Sequence, residues 1–234
     1  MTAVELAPKV WRIPTKPYDL INSFLLEDED GSLTLVDAGL RGGDKKVLTA
    51  LLALGKNPGD VTRILLTHAH SDHAGGLQRT AQATGARVLS HDREASYLRE
   101  GKPPTSDRST AGGRLMARLP GENFARVEVA ETFADGAVLP IGGGLTVVHT
   151  PGHSPGHCSF LHTGSGTLIT GDAIFNVRGL RYAPSMTCTD LRQNRASAAR
   201  LGELDYGTVA FTHGAPVTTG ARQAVRAFLA GRPS

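Results

Sequence analysis

Residues 67–73 read Thr-His-Ala-His-Ser-Asp-His and place four possible metal ligands within six positions. Imidazole and carboxylate groups are ligands that zinc and similar metals favour. In an extended segment residues i and i+2 point to the same side, so His68 and His70 can face one metal together. Asp72 and His73 follow where the chain is expected to enter a helix, and a neighbouring loop can direct them to a second metal. A polar loop with Asp72 as a helix cap is the alternative, which three histidines and an aspartate in register argue against.

Three further residues of ligand type follow short apolar segments that are expected to form strands. His153 lies in the rigid turn Thr-Pro-Gly-His, Asp172 follows Leu168 and Ile169, and His213 follows the segment 209–211. A single histidine or aspartate in a turn is usually structural. Because layered folds bring strand ends together, four such groups in one chain indicate a shared site.

Together these motifs resemble the metallo-β-lactamase superfamily and, within it, the glyoxalase II-like hydrolases. The resemblance runs from Leu-Val-Asp-Ala-Gly at 35–39 to Phe-Thr-His-Gly at 211–214. It implies an α/β fold, an αββα sandwich of two mixed β-sheets with helices on the outer faces. We expect a single domain over residues 1–234, with two similar halves at about 1–110 and 126–234.

The resemblance also implies a role for each motif residue. It suggests that His68, His70 and His153 hold one metal, that Asp72, His73 and His213 hold the other, and that Asp172 bridges them. Asp37 matches a position of the family whose side chain looks like a group that orients the metal ligands. His157 is either a second supporting group or a turn histidine with ordinary hydrogen bonds. The implied cofactors are two divalent ions, Zn²⁺ first, with Fe or Mn open.

Such a centre predicts a dinuclear hydrolase in which a metal-bridging hydroxide attacks an ester, thioester or lactone carbonyl. Asp72 is the expected catalytic residue, since it can bind metal and also accept or return a proton. A phosphodiesterase on the same scaffold stays open. So does a mononuclear-iron persulfide dioxygenase, which is similar in its His68, His70, His153 and Asp172 ligands. A metal-binding protein without catalysis is a third possibility.

The substrate is less constrained than the metal centre. The chain ends soon after His213, so we expect no long glutathione-binding tail. Related lactone hydrolases carry a tyrosine at the position of Phe175, which weakens that assignment. The segment after Asp172 is either an ordinary exposed loop or a pocket wall formed by Phe175, Arg178, Arg181, Tyr182 and Met186.

The predicted elements place each ligand motif after a strand. A helix is predicted at 44–54 with Asp44 as its N-cap, and a second helix at 73–84. Residues 101–125 predict either a packed surface helix, with Leu115, Met116 and Leu119 on its apolar face, or a mobile lid. The predicted strands cover 10–13, 22–27, 33–37, 64–67, 87–90, 127–129, 137–139, 145–149, 159–162, 167–170 and 209–211.

The composition narrows the class of partner. Hydrophobic residues make up 40% and charged residues 20% of the 234 residues, and 25 basic residues nearly balance 22 acidic ones. Without a basic block, the sequence predicts a small-molecule substrate rather than nucleic acid. Cys158 and Cys188 form no C-x-x-C motif. With no signal-like or membrane-spanning segment, a cytoplasmic protein is expected, and a homodimer is left open.

Overall fold

Strands from the first part of the chain form a seven-stranded mixed sheet in the order β1 to β7. The computed structural model describes residues 3–116, 118 and 122–231. Strands β1 to β4 pair antiparallel, and β4 to β7 pair parallel. The strands are β1 (Val4–Ala7), β2 (Val10–Pro14), β3 (Asn22–Glu27), β4 (Leu33–Val36), β5 (Val61–Leu65), β6 (Arg87–His91) and β7 (Glu131–Phe133).

The second sheet has five strands from the later part of the chain, in the order β14-β11-β10-β9-β8. Strands β12 and β13 form a separate two-stranded ribbon. The strands are β8 (Val138–Leu139), β9 (Leu145–His149), β10 (Cys158–His162), β11 (Thr167–Ile169), β12 (Phe175–Asn176), β13 (Leu180–Arg181) and β14 (Thr208–Ala210). The helices are α1 (Gly43–Ala53), α2 (Ser71–Ala74), α3 (Leu77–Thr84), α4 (Ala95–Glu100), α5 (Ala111–Met116), α6 (Leu191–Ala198) and α7 (Ala221–Leu229).

Apolar side chains on both faces of the strands produce the αββα layers. On β3, Phe24 and Leu26 face the cluster between the two sheets, whereas Leu25 faces the cluster under α1 and α3. A third cluster packs Val209 against Val225 of α7. Both faces of the central strands are therefore buried, which explains their nearly continuous apolar runs. The predicted two-sheet sandwich is confirmed, while the domain boundaries and the similarity of the halves stay predictions.

The prediction of one continuous helix at 73–84 is wrong. Helix α2 ends at Ala74, and α3 begins at Leu77. Gly75 and Gly76 separate them, and a side chain at either would collide with backbone atoms of residues 38–41. The peptide of Gly76 donates to the Gly39 carbonyl at 3.0 Å. This close backbone approach brings the loop after β4 against the loop that carries the first histidine motif.

Two other local predictions are wrong. Helix α1 has Gly42 as its N-cap, at φ 91°, and Asp44 lies inside its first turn. The segment 127–129 forms no strand, because Val127 donates to the end of α4 at Leu98 rather than to a strand ladder. The parallel partner of β6 is β7, which begins at Glu131.

Residues 101–125 contain one short helix, α5, in the part that the structure describes. It packs against the turn at 185–187, and the peptide of Asp107 donates to the Cys188 carbonyl at 2.7 Å. Leu115 is exposed, and Leu119 lies outside the described residues. The lid stays a prediction. Among the described residues, no helix has the length and apolar character that crossing a membrane requires.

Candidate metal centre

Three histidine rings converge where the ends of β5 and β9 meet. Nε2 of His68 lies 3.0 Å from Nδ1 of His70 and 3.1 Å from Nε2 of His153. The third separation, between His70 Nδ1 and His153 Nε2, is 2.8 Å. Zinc–nitrogen bonds of about 2.0–2.1 Å bring neighbouring nitrogens of one tetrahedral sphere to roughly 3.3 Å from each other. These three residues, the three-histidine face, therefore have separations close to those of metal ligands.

A second group of four side chains lies beside this face. Nε2 of His213 is 3.3 Å from an oxygen of Asp72 and 3.3 Å from an oxygen of Asp172. Nε2 of His73 is 3.3 Å from the same Asp172 oxygen and 3.7 Å from Asp72. The four ligand atoms are close enough to surround one ion. We call these residues the four-ligand group.

Asp172 joins the two groups because its two carboxylate oxygens point in different directions. Oδ1 faces His73 and His213, each at 3.3 Å, whereas Oδ2 lies 3.2 Å from His153. Thr212 donates its hydroxyl to Oδ1 at 2.7 Å. One carboxylate can thus serve both groups. The structure brings together all seven residues that were predicted as ligands, and it divides them between the two groups as predicted.

Asp37 and Thr67 orient two of the rings. Asp37 accepts the Thr67 peptide and hydroxyl, each at 2.8 Å, and contacts Nδ1 of His73 at 2.8 Å. The Thr67 hydroxyl lies 3.0 Å from Nδ1 of His68. With Nδ1 donating in both rings, each Nε2 lone pair faces the site. Asp37 has φ 61°, and such strain in a non-glycine residue is typical of functional sites.

His157 supports Asp172 through the backbone. Its Nε2 accepts the Asp172 peptide at 2.7 Å, so its Nδ1 is the donor to the Thr150 carbonyl at 3.0 Å. On the other side of the site, Nδ1 of His213 donates to the Leu20 carbonyl at 2.6 Å. These contacts favour the supporting role for His157 over the alternative of a turn histidine with ordinary hydrogen bonds. His91, His149 and His162 lie outside both groups.

Two rings of the three-histidine face, those of His68 and His70, are held in the neutral state. Burial, with repulsion from His73 and His153, lowers the pKa of His68 well below its usual range. Burial and then His153 lower the pKa of His70 to about 3. Both rings are uncharged near neutral pH, and neutral imidazole is the form that binds metal.

The four-ligand group has the opposite electrostatic character. Burial opposes charge on His213, but the carboxylates of Asp172 and Asp72 raise its pKa to about 10. Burial likewise opposes charge on His73, and Asp172 and Asp72 raise its pKa well above the usual range. Nε2 of both rings is buried and makes no hydrogen bond within the described residues. Because buried polar atoms are rarely unpaired, two carboxylates and two such nitrogens fit a divalent cation.

Glu94 is a buried contributor that the sequence did not reveal. Its carboxylate accepts the peptides of Ala69 at 2.8 Å and Gly156 at 2.6 Å, and the Ser154 hydroxyl at 2.7 Å. Burial raises its pKa to about 7 against the effect of these donors. Asn22 is a second unforeseen residue: its amide donates to the carbonyls of Phe211 and Gly214, each at 3.0 Å. Both residues hold loops that carry candidate ligands.

The predicted pocket wall is brought to the site only in part. The ring of Phe175 lies 4.4 Å from that of His213, measured between centroids. Tyr182 instead packs against Phe228 of α7, at 4.7 Å between ring centroids. The other three predicted residues are exposed: Arg178 on the β12–β13 turn, Arg181 in β13 and Met186 in the 185–187 turn.

Replacing Asp37 by asparagine is expected to weaken metal binding about 10- to 100-fold. Asparagine tolerates the positive φ, but its single oxygen cannot replace both carboxylate oxygens, one of which accepts the Thr67 peptide while the other faces the Thr67 hydroxyl and His73. Competition with a chromogenic chelator would measure the affinity. The matched surface control is Asp205→Asn, which is expected to leave it unchanged. Wild-type affinity in the Asp37→Asn variant would contradict an orienting role.

Comparison with known proteins identifies the class. A family model described as the metallo-beta-lactamase superfamily matches residues 18–213. YobT from Bacillus subtilis is 35% identical over 178 residues, covering 73% of this chain and 69% of YobT. Hydroxyacylglutathione hydrolase GloC from Haemophilus influenzae is 26% identical over 155 residues, covering 66% of each.

A solved structure agrees with the fold. A metallo-beta-lactamase family protein from Thermus thermophilus superposes with a TM-score of 0.69 at 28% identity, covering 97% of this chain and 80% of that one. This chain therefore belongs to the metallo-beta-lactamase superfamily. The resemblance predicted from the motifs is confirmed, and the relatives support a hydrolase with a metal-binding site.

Proposed function

We propose that this chain is a dinuclear metal-dependent hydrolase that acts on an ester, thioester or lactone carbonyl. The observation that carries the proposal is the placement of Asp172, whose two oxygens face two separate sets of ligands. One set contains only imidazoles, and the other adds the carboxylate of Asp72. A single-metal site would need neither the second set nor a shared carboxylate.

The three-histidine face would hold one ion and the four-ligand group the other, with Asp172 shared. Zinc is our first choice because the set is imidazole and carboxylate. Ions held there would supply activated water near neutral pH and polarise the carbonyl of the substrate. Two carboxylates and five imidazoles leave coordination positions for water and substrate.

The exposure of the side chains indicates where substrate approaches. Asp72 is 29% exposed and His213 is 12% exposed, whereas Asp172 is 3% exposed. His70 is also partly exposed, so the centre is open along Asp72, His213 and His70. The Phe175 ring forms an apolar wall beside His213. A carbonyl compound bound against Phe175 would lie beside the Asp72 carboxylate.

Asp72 is the proposed proton carrier. Burial opposes its charge, but the charges of His73 and of His213, whose Nε2 lies 3.3 Å away, keep the pKa of Asp72 below its ordinary value. It is therefore ionised at neutral pH and can accept a proton from the attacking water. Its exposure allows it to pass that proton to the leaving group. Asp172, which is buried and in contact with Thr212, is placed to hold the two ligand sets rather than to exchange protons.

A substrate panel on protein of known metal content tests the reaction class. Acyl-thioesters come first in the panel because GloC, by its name, hydrolyses a thioester of glutathione. Lactones, simple esters, phosphodiesters and glutathione persulfide complete the panel. We expect metal-dependent turnover of at least one carbonyl substrate. Oxygen uptake on the persulfide with one iron per chain would instead identify a dioxygenase.

A further inference from the structure

Glu94 lies at the end of a 3-10 turn, Asp92–Glu94, that follows β6. The residue is 0% exposed. Within the part of the chain that the structure describes, no lysine, arginine or histidine forms an ion pair with it. A buried carboxylate is costly unless it is fully hydrogen-bonded. Its three partners are therefore what makes this position acceptable for a carboxylate.

Those partners belong to the two loops that carry the three-histidine face. Oε2 accepts the peptide of Ala69, which lies between His68 and His70. Oε1 accepts the hydroxyl of Ser154, the residue after His153, and the peptide of Gly156. The first loop leaves β5 of one sheet, and the second leaves β9 of the other. One carboxylate thus connects the two sheets beside the converging imidazoles.

The lack of a side chain at Gly156 allows its close contact with Glu94. A Cβ atom at Gly156 would lie 2.9 Å from Cγ of Glu94 and 3.0 Å from its peptide nitrogen. A larger residue would push the second loop away from the carboxylate. The glycine and the glutamate therefore fit each other, independently of the hydrogen bonds.

We propose that Glu94 is a positioning residue that fixes the spacing between His153 and the His68–His70 pair, and so sets the metal affinity of the three-histidine face. The inference rests on the proposed function only in that this face holds an ion. A glutamine at position 94 has one acceptor oxygen, so its amide group would confront at least one of the three donors. The link between the loops would then be broken on one side.

A metal-binding cycle tests the proposal. Cobalt(II) affinity would be measured by chelator competition for wild type, Glu94→Gln, His70→Ala and the double variant. We expect Glu94→Gln to weaken one of two binding steps about 10- to 100-fold. His70→Ala removes the ion site of the three-histidine face. In that background, the ion in the four-ligand group should bind equally well with glutamate or glutamine at position 94. Glu131→Gln, an exposed glutamate on β7, is the matched control and should leave both steps unchanged.

The outcomes separate the possibilities. The proposal would be overturned if both metal-binding steps kept their wild-type affinity in Glu94→Gln. It would also be overturned if Glu94→Gln weakened binding of the remaining ion by the same factor in the His70→Ala background, because that is the result of a general folding defect. If Glu94→Gln does not fold, Ser154→Ala decides. That variant removes one of the three bonds and should weaken the same step by a smaller factor, whereas no change would overturn the proposal. A wild-type chain that binds no metal would contradict the proposed function instead.

Discussion

Replacing His68 by alanine is expected to reduce kcat/KM by on the order of a thousandfold or more. His68 is fully buried at the middle of the cluster, and its ring centroid lies 4.1–5.2 Å from those of four other histidines. Alanine removes one of the three imidazoles of its face, so the ion there should be lost. Steady-state kinetics with parallel metal analysis would measure both effects.

The control for this variant is His162→Ala. His162 is also buried, but it contacts Ser165 and the Gly142 carbonyl, away from the centre. We expect kcat/KM per folded molecule to be unchanged there. Undiminished turnover of His68→Ala in metal-free buffer would show that the reaction takes place elsewhere on the protein.

Replacing Asp172 by asparagine is expected to lower both metal content and activity. The substitution keeps the shape of the side chain but removes a charge that His73, His153 and His213 all face. One position of the amide group would also present N–H donors to ligand nitrogens. We expect about one ion per chain and a loss of activity on the order of a thousandfold. Metal analysis of dialysed protein and kcat/KM measure the two quantities.

Asp135→Asn is the matched control for Asp172→Asn. Asp135 forms an exposed ion pair with Arg200, and exposed pairs contribute little to stability. Its metal content and activity should equal those of wild type. If Asp172→Asn keeps two ions per chain and its kcat/KM stays within tenfold of wild type, the carboxylate is not shared between the two ions.

The ligand residues could be predicted from the sequence because each belongs to a local pattern. The spacing of His68, His70, Asp72 and His73 fixes their relative directions once the chain leaves β5 and enters α2. His153, Asp172 and His213 each follow an apolar strand, and strand direction places them at the same edge of the sandwich. The two-sheet sandwich was implied by the family that these motifs resemble.

The supporting residues could not be predicted because their partners are far apart in the chain. Glu94 bonds residues that are 25, 60 and 62 positions away, and Asn22 bonds one that is 192 positions away. In sequence, Glu94 belongs to the charged run Asp-Arg-Glu at 92–94, in which no local pattern marks it as buried. Only tertiary packing buries Glu94.

The break between α2 and α3 has a similar origin. The apolar spacing of residues 73–84 continues across Gly75 and Gly76 as in one helix. The cause of the break is the backbone of residues 38–41, which approaches both glycines from another loop. Local periodicity contains no information about that approach.

The most direct test of a shared dinuclear centre is a titration of the metal-free chain with zinc, following hydrolysis of the best substrate and bound metal together. We predict that bound zinc saturates at about two ions per chain and that full activity requires the second. Saturation of both metal content and activity at one ion per chain would contradict the shared centre.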